Sequence, residues 1–317
     1  MLLYLPLLIS EKDSTMLFAK EKSFDQIYSN VPEEQKEMLL QFRENAAYHQ
    51  ITLDDQIWQY RVIGHGSQIM ILLPGSFTLA DMWMQIALGF EQNYRILIPD
   101  AYARQRWFDI EKVCQAIISM MDAQQAKQAI FIGLGAGADL AQYFLHQHPQ
   151  RVAQLILSHC EVLGDSSSRD DTRQQRTLGF YKRTGEKSIR KMMLRQLENG
   201  LPIDSKWRTF TAAYYRESIQ GLKKDMVLAY IKNSYAMKKN FEFSVSRIHN
   251  WQGNILYLAS DDDNITVESI TPLKKLYPKT KVHRFPSGKN HVHLLFADQV
   301  VKVIAAFLDG VQSKEVI

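Results

Sequence analysis

AIFIGLGAGADLAQYFL, residues 129–145, runs from four consecutive apolar residues through three glycines in five positions and straight into a helix. A short apolar run closed by a glycine turn is the signature of a strand buried on both faces. Working outward, the same kind of run recurs at Ile69–Leu73, Tyr94–Ile98, Ala153–Leu157 and Ile255–Leu258, each bounded by Gly, Pro, Ser or Asp. Helical patterns lie between them. The clearest places Ile110, Val113, Cys114, Ile117, Ile118 and Met121 on one face, and a second near the end uses Val300, Val303, Ile304 and Phe307. Parallel neighbours need helical crossovers, so strands alternating with helices predict an α/β fold with a mainly parallel sheet covered on both faces. Ile57–Ile63 instead alternates apolar with polar residues and is expected as an antiparallel edge strand.

The alternation stops between residues 165 and 240, where stretches such as Ile189, Met192, Met193 and Leu197 keep a helical period and no strand-like run occurs. This segment is expected to be an inserted helical cap, with 46–164 and 241–317 forming the core and 1–45 an N-terminal extension that includes a charged, helix-prone stretch. The apolar run Met1–Ile9 has no basic residue ahead of it and no small-residue cleavage site after it, and is too short to span a bilayer. Met16 is an alternative start.

At 317 residues, with 46% hydrophobic and 23% charged, the chain is long and apolar enough for a sizeable core, which excludes disordered and disulfide-scaffold classes. Lys and Arg number 38 against 34 Asp and Glu, a net charge of +4 that is too dilute to point to nucleic acid. The cap is more biased, with seventeen Lys and Arg against eight Asp and Glu. A solvated helical face accounts for this in the ordinary way; an acidic protein or membrane surface as partner is the alternative. The two cysteines, Cys114 and Cys160, sit in apolar runs without metal spacing, so buried reduced thiols, a cytoplasmic location and no metal or cofactor are expected.

Two chemistries use a turn like Gly133–Gly137. In a nucleophile elbow, G-x-S-x-G, small neighbours permit a tight strand-to-helix turn that lifts the central side chain above the sheet. In a dinucleotide fingerprint, G-x-G-x-x-G/A, the glycines let a pyrophosphate approach a helix N-terminus. Gly133, Gly135 and Ala138 satisfy the second pattern literally, and Glu161 stands where a ribose-binding acid would. Against it, at least three strands precede the turn, whereas a dinucleotide domain usually begins with it.

The order of further landmarks resembles the α/β-hydrolase superfamily over about residues 45–310. Leu72-Leu73-Pro74-Gly75-Ser76 resembles its strand-ending oxyanion turn, with Pro74 in place of His, and Ile96-Leu97-Ile98-Pro99-Asp100 its next strand. His146–His159 (HQHPQRVAQLILSH) is similar to its passage from elbow helix to strand, Ile255–Asp263 (ILYLASDDD) to its acid strand, and Leu276–His291 to its final strand and histidine loop. QYRV (59–62), LLPGSFTLADMW (72–83), SDDD (260–263) and the LYP-x-x-x-V-x-x-FP run (276–286) resemble the maspardin-like branch. The elbow departs from that branch: GLGAGA (133–138) looks like the N-myc downstream-regulated family, which the resemblance implies to be non-catalytic.

An acyl-transfer enzyme needs a nucleophile, a base and a group that orients the base. Gly135 stands at the nucleophile position and supplies no such atom. By resemblance Asp263 is the acid, and Asp261 and Asp262 are loop charges. Matching Ala297–Val300 without a gap puts Asn290 at the histidine position, and a one-residue slip puts His291 there; His293 is expected to face the following helix. Oxyanion or ligand-binding donors would be the backbone N–H of Ala136 and one from Ser76 or Phe77. The leading expectation is a hydrolase-fold protein without serine-hydrolase activity that binds a small hydrophobic or carbonyl-containing ligand or a protein partner. Its rivals are an enzyme using a His291–Asp263 base on water or substrate, and a dinucleotide binder.

Overall fold

The computed structural model describes residues 22–100, 109–164, 171–202 and 205–310. Met1–Ile9, Met16 and the first residues of the expected cap lie outside them. Eight strands form one sheet in the order β1-β2-β4-β3-β5-β6-β7-β8. They are β1 (Ala47–Leu53), β2 (Gln56–Ile63), β3 (Gln68–Leu73), β4 (Tyr94–Pro99), β5 (Ala129–Leu134), β6 (Val152–Ser158), β7 (Ile255–Ser260) and β8 (Lys281–Phe285). The pairs β1–β2 and β2–β4 are antiparallel, and every other pair is parallel. All five apolar runs are strands of the parallel part, which settles the fold class as α/β.

Ile57–Ile63 does form a strand, but not an edge strand. It is β2, held between β4 and the true edge, β1. β1 leaves its first four residues exposed, so it carries too little apolar alternation to stand out in the sequence.

Each strand of the parallel core feeds both faces. Along β3, Met70 and Leu72 join one apolar cluster while Ile69, Ile71 and Leu73 join the other, as the two-residue strand period requires. On the first face lie α1 (Phe24–Ile27), α2 (Glu33–Asn45), α3 (Met84–Phe90), and the final α12 (Val292–Leu295) and α13 (Ala297–Leu308); the second is covered by α4 (Ile110–Ala123), α5 (Ala136–Gln147) and α11 (Asn264–Leu276). α4 shows why these helices form where they do. Asp109 caps its first turn by accepting from the N–H groups of Glu111 and Lys112, and its inward stripe buries Val113, Cys114, Ile117 and Met121. Each such apolar side chain contributes roughly 1.5–3 kcal/mol.

Between β6 and β7 run α6 (Asp171–Arg183), α7 (Glu186–Glu198), α8 (Arg208–Gln220), α9 (Lys224–Asn240) and the short α10 (Val245–Ile248). α6 packs on α9 and α7 on α8. Ile189, Ile219 and Val227 from these helices, with Leu222 from the turn between α8 and α9, bury Phe77 of the turn after β3, so the helical insert rests on the carboxyl end of the sheet.

Candidate functional site

The site is built around the turn that ends β5. Gly135 has φ +53° and ψ −117°, a left-handed backbone that glycine adopts at little cost. Its N–H donates to the carbonyl of Ser158 in β6 at 2.9 Å, and α5 begins at the next residue. A Cβ built on Gly135 would meet nothing nearer than the His159 carbonyl at 3.7 Å and His159 Cδ2 at 3.9 Å, which is ordinary contact. The position therefore has room for a side chain and lacks one.

Gly137 is needed for a different reason. A Cβ there would stand 2.1 Å from the Leu73 carbonyl oxygen and 2.8 Å from that of Pro74. Only glycine lets the start of α5 close against the turn after β3, and this contact brings Gly75–Phe77 over the elbow. Within that turn Phe77 is also left-handed, with φ +62°, and Thr78 Oγ1 donates to the Gly75 carbonyl at 2.8 Å. Ala136 is the first residue of α5, so its N–H has no acceptor within the helix. No backbone carbonyl among the described residues accepts from Ser76, Phe77 or Ala136. Neither expected donor position is thus engaged by a backbone carbonyl among the described residues. The Ser76 hydroxyl is committed elsewhere, donating to Tyr230 of α9 at 2.7 Å.

The acid and base do not pair as the sequence suggested. Asp263 caps α11, with Oδ1 accepting from the Ile265 N–H at 3.2 Å, and its Oδ2 lies 2.5 Å from Nδ1 of His159, the residue that follows β6. His291 is instead buried in a 3₁₀ turn, with its Nδ1 2.6 Å from the hydroxyl of Tyr215 in α8. Burial, reinforced by the nearby charges of His159 and Lys289, lowers the pKa of His291 to about 3. The contacts therefore pair Asp263 with His159, where the sequence had suggested His291, and give His291 to Tyr215. Asn290, the other candidate, lines the same cavity beside His291. His293 is fully packed, 5.4 Å from the Trp83 ring, and its pKa is likewise lowered to about 3 by burial.

Asp262, read as a loop charge, has a structural role. It accepts from the N–H groups of Gly288 at 3.1 Å and Lys289 at 2.9 Å and so anchors the loop that carries Asn290 and His291. Asp261 pairs with Arg284 at 2.7 Å. Glu161 is drawn into an ion pair with Lys238 of α9 at 2.8 Å, and Lys238 also holds Asp139 of α5 at 3.0 Å. That leaves Glu161 poorly placed for a ribose. The sheet order also differs from the 3-2-1-4-5-6 order of dinucleotide-binding folds, in which the fingerprint follows the first strand. Among the described residues no group of three His, Cys, Asp or Glu side chains is arranged to hold a metal ion.

Gly135, His159 and Asp263 open onto one cavity of about 590 Å³ between the sheet and the helical insert. Its apolar wall includes Phe77, Met193, Leu197, Ile219 and Ile231, and polar groups from Tyr215, Lys289 and Asn290 also reach it. This is the size and character of a small-molecule site. Three contributors escape a reading of the sequence: His159, Tyr215 and Tyr230. Only His159 leaves a signal, since it directly follows a buried parallel strand, and ligands of open α/β sheets bind at the carboxyl ends of strands.

Residues 100–248 match the Ndr family. Among curated protein sequences none matches the chain. Solved structures with similar architecture include the epoxide hydrolase VrEH1 from Vigna radiata, with a TM-score of 0.68 at 14% identity over 84% of this chain and 99% of that one. A thermophilic esterase from Thermogutta terrifontis gives 0.67 at 17% identity over 84% and 100%. The enol-lactonase from Burkholderia xenovorans LB400 gives 0.65 at 16% identity over 82% and 100%. At these identities the likeness concerns the fold, which is the α/β-hydrolase fold.

Proposed function

We propose that this α/β-hydrolase-fold protein binds a small, largely apolar molecule bearing a carbonyl or carboxylate group in the cavity above Gly135, and forms no covalent acyl intermediate with it. The observation that carries the reading is Gly135 itself: at the one position where the turn would lift a nucleophile into the cavity there is no side-chain atom. The cavity's size and apolar wall, and N–H groups of Phe77 and Ala136 that no described backbone carbonyl engages, support ligand binding independently of that absence. The Ndr match across the elbow, the insert and β6 agrees with the resemblance of GLGAGA to the N-myc downstream-regulated proteins.

The test is to restore the missing atom. Gly135→Ser has space for its side chain, though a non-glycine residue at φ +53° carries strain of about 1–3 kcal/mol and should lower the melting temperature by a few degrees. The wild type is expected to resist a fluorophosphonate probe, Gly135→Ser to be labelled, and Gly135→Ser/His159→Ala to lose the label. Labelling of the wild type at any residue of the cavity would overturn the non-covalent reading.

A further inference from the structure

We propose that His159, oriented by Asp263, is a general base that activates a water molecule standing where a nucleophile's hydroxyl would be, so that the cavity hydrolyses carboxylic esters in one step. This rests on the non-covalent reading above and deepens it by naming a reaction and a substrate class.

The geometry supplies each part. Asp263 Oδ2, 2.5 Å from Nδ1, accepts a hydrogen bond from that nitrogen and leaves Nε2 as the free acceptor of the neutral imidazole. His159 is part of the cavity lining, and its side chain is 24% exposed while Asp263 is 8% exposed, so the base is open and its orienting acid is covered. The ring edge nearest Gly135 is Cδ2, the atom bonded to Nε2, at 3.9 Å from the Cβ position. With glycine there, no side chain fills the space between that edge and the elbow turn. Phe77 lines the cavity and Ala136 directly follows Gly135, and the N–H groups of both have no competing backbone acceptor among the described residues. His291 offers no substitute, because Tyr215 holds its Nδ1 and its basicity is low.

The step balances without a cofactor. His159 Nε2 takes a proton from water as the water oxygen bonds to the ester carbonyl carbon. The carbonyl π pair moves onto oxygen, and the resulting alkoxide is received by the two N–H groups. When that alkoxide collapses, the C–O bond to the alcohol breaks and the leaving oxygen takes the proton back from His159. Ester and water become acid and alcohol, and the histidine is returned neutral.

The experiment uses the purified full chain with p-nitrophenyl butyrate and p-nitrophenyl octanoate, comparing wild type, His159→Gln, His159→Ala, Asp263→Asn and the exposed control His249→Ala. The expected result is turnover above the buffer rate that is linear from the first cycle, with no burst and no fluorophosphonate label. kcat/KM should fall by about 100-fold or more in both His159 variants, by about tenfold or more in Asp263→Asn, and stay unchanged in His249→Ala. In the wild type it should fall when deuterium oxide replaces water, since a proton moves in the step. That measurement needs no variant, so it keeps the test decisive if a substitution impairs folding. No turnover by the wild type, an unchanged rate in deuterium oxide, or an undiminished rate in folded His159→Gln overturns the base assignment. In each of those cases the non-covalent reading still stands if only Gly135→Ser is labelled. A burst or a label in the wild type sinks that reading instead, and the one-step mechanism with it.

Discussion

His291 and His293 both lie near His159, yet burial separates their chemistry from its own. His159 keeps an open edge and a carboxylate partner, whereas His291 and His293 are 1% and 2% exposed. For the last two, folding removes water from a group that would otherwise take a proton easily, and their pKa falls from 6.5 to about 3. Above the unfolded value of 6.5 both states are neutral and the pair adds no pH dependence. As pH drops below it the unfolded chain binds protons that the native state refuses, so stability present above that value is lost progressively down to the folded value near 3. At pH 5 the loss is about 2 kcal/mol for each histidine, since one pKa unit is worth about 1.4 kcal/mol. Urea unfolding at pH 7 and pH 5 should show it, and His293→Leu should remove part of the slope, because neither ring nitrogen of His293 has a hydrogen-bond partner to lose. An unchanged slope in His293→Leu would show that its burial is not the cause.

At the scale of elements, the close approach of α5 to the end of β3 decides whether the elbow and the oxyanion turn meet. Gly137→Ala should therefore destabilise the protein by about 3 kcal/mol or more, because the atoms its methyl would strike belong to the backbone of Leu73 and Pro74 and have no rotamer by which to retreat. Thermal unfolding would measure this. A drop in melting temperature no larger than that of an exposed helix substitution would mean that the two segments separate easily. The elements themselves are legible from sequence wherever the interior writes a period into the chain. β3 through β7 are apolar runs because both their faces are covered, and α4 and α13 carry stripes because one face is. β1 is illegible for the converse reason, since its exposed residues are free of that constraint. β8 is half-buried at the other edge and offers no apolar run to read. Within the site, Gly135 stands out through local turn chemistry and Asp263 through the resemblance of Ile255–Asp263 to an acid strand. The partnership of His159 with Asp263 does not, because it joins residues 104 positions apart and no local pattern encodes it.

For the whole molecule, partly buried charges tie the N-terminal helix, the sheet and the insert into one unit. Arg43 of α2 donates Nε to Asp81 at 2.8 Å, and its two terminal nitrogens reach both carboxylate oxygens of Glu217 in α8, at 3.0 and 2.8 Å. Tyr28 adds a hydrogen bond to Glu217 at 2.6 Å, and Arg61 of β2 lies 3.4 Å from the far oxygen of Asp81. Lys238 acts similarly at the other end of the insert, joining α9 to α5 through Asp139 and to the end of β6 through Glu161. The forked contact of Arg43 has the geometry in which such pairs are strongest, and Arg43 is largely shielded from water, so its removal leaves two carboxylates short of a partner. Arg43→Met should cost about 3 kcal/mol, and Glu217→Gln should cost less because an amide keeps one acceptor. In a double-mutant cycle by urea unfolding the two substitutions should show a coupling of about 1–3 kcal/mol. The cycle also reports on the insert. If the network holds it to the sheet, far-ultraviolet circular dichroism and the fluorescence of Trp207, which lies at the start of α8, should report one transition in the wild type and two separated ones in Arg43→Met. A coupling below about 0.5 kcal/mol with coincident transitions would instead assign the insert's attachment to the apolar contact around Phe77.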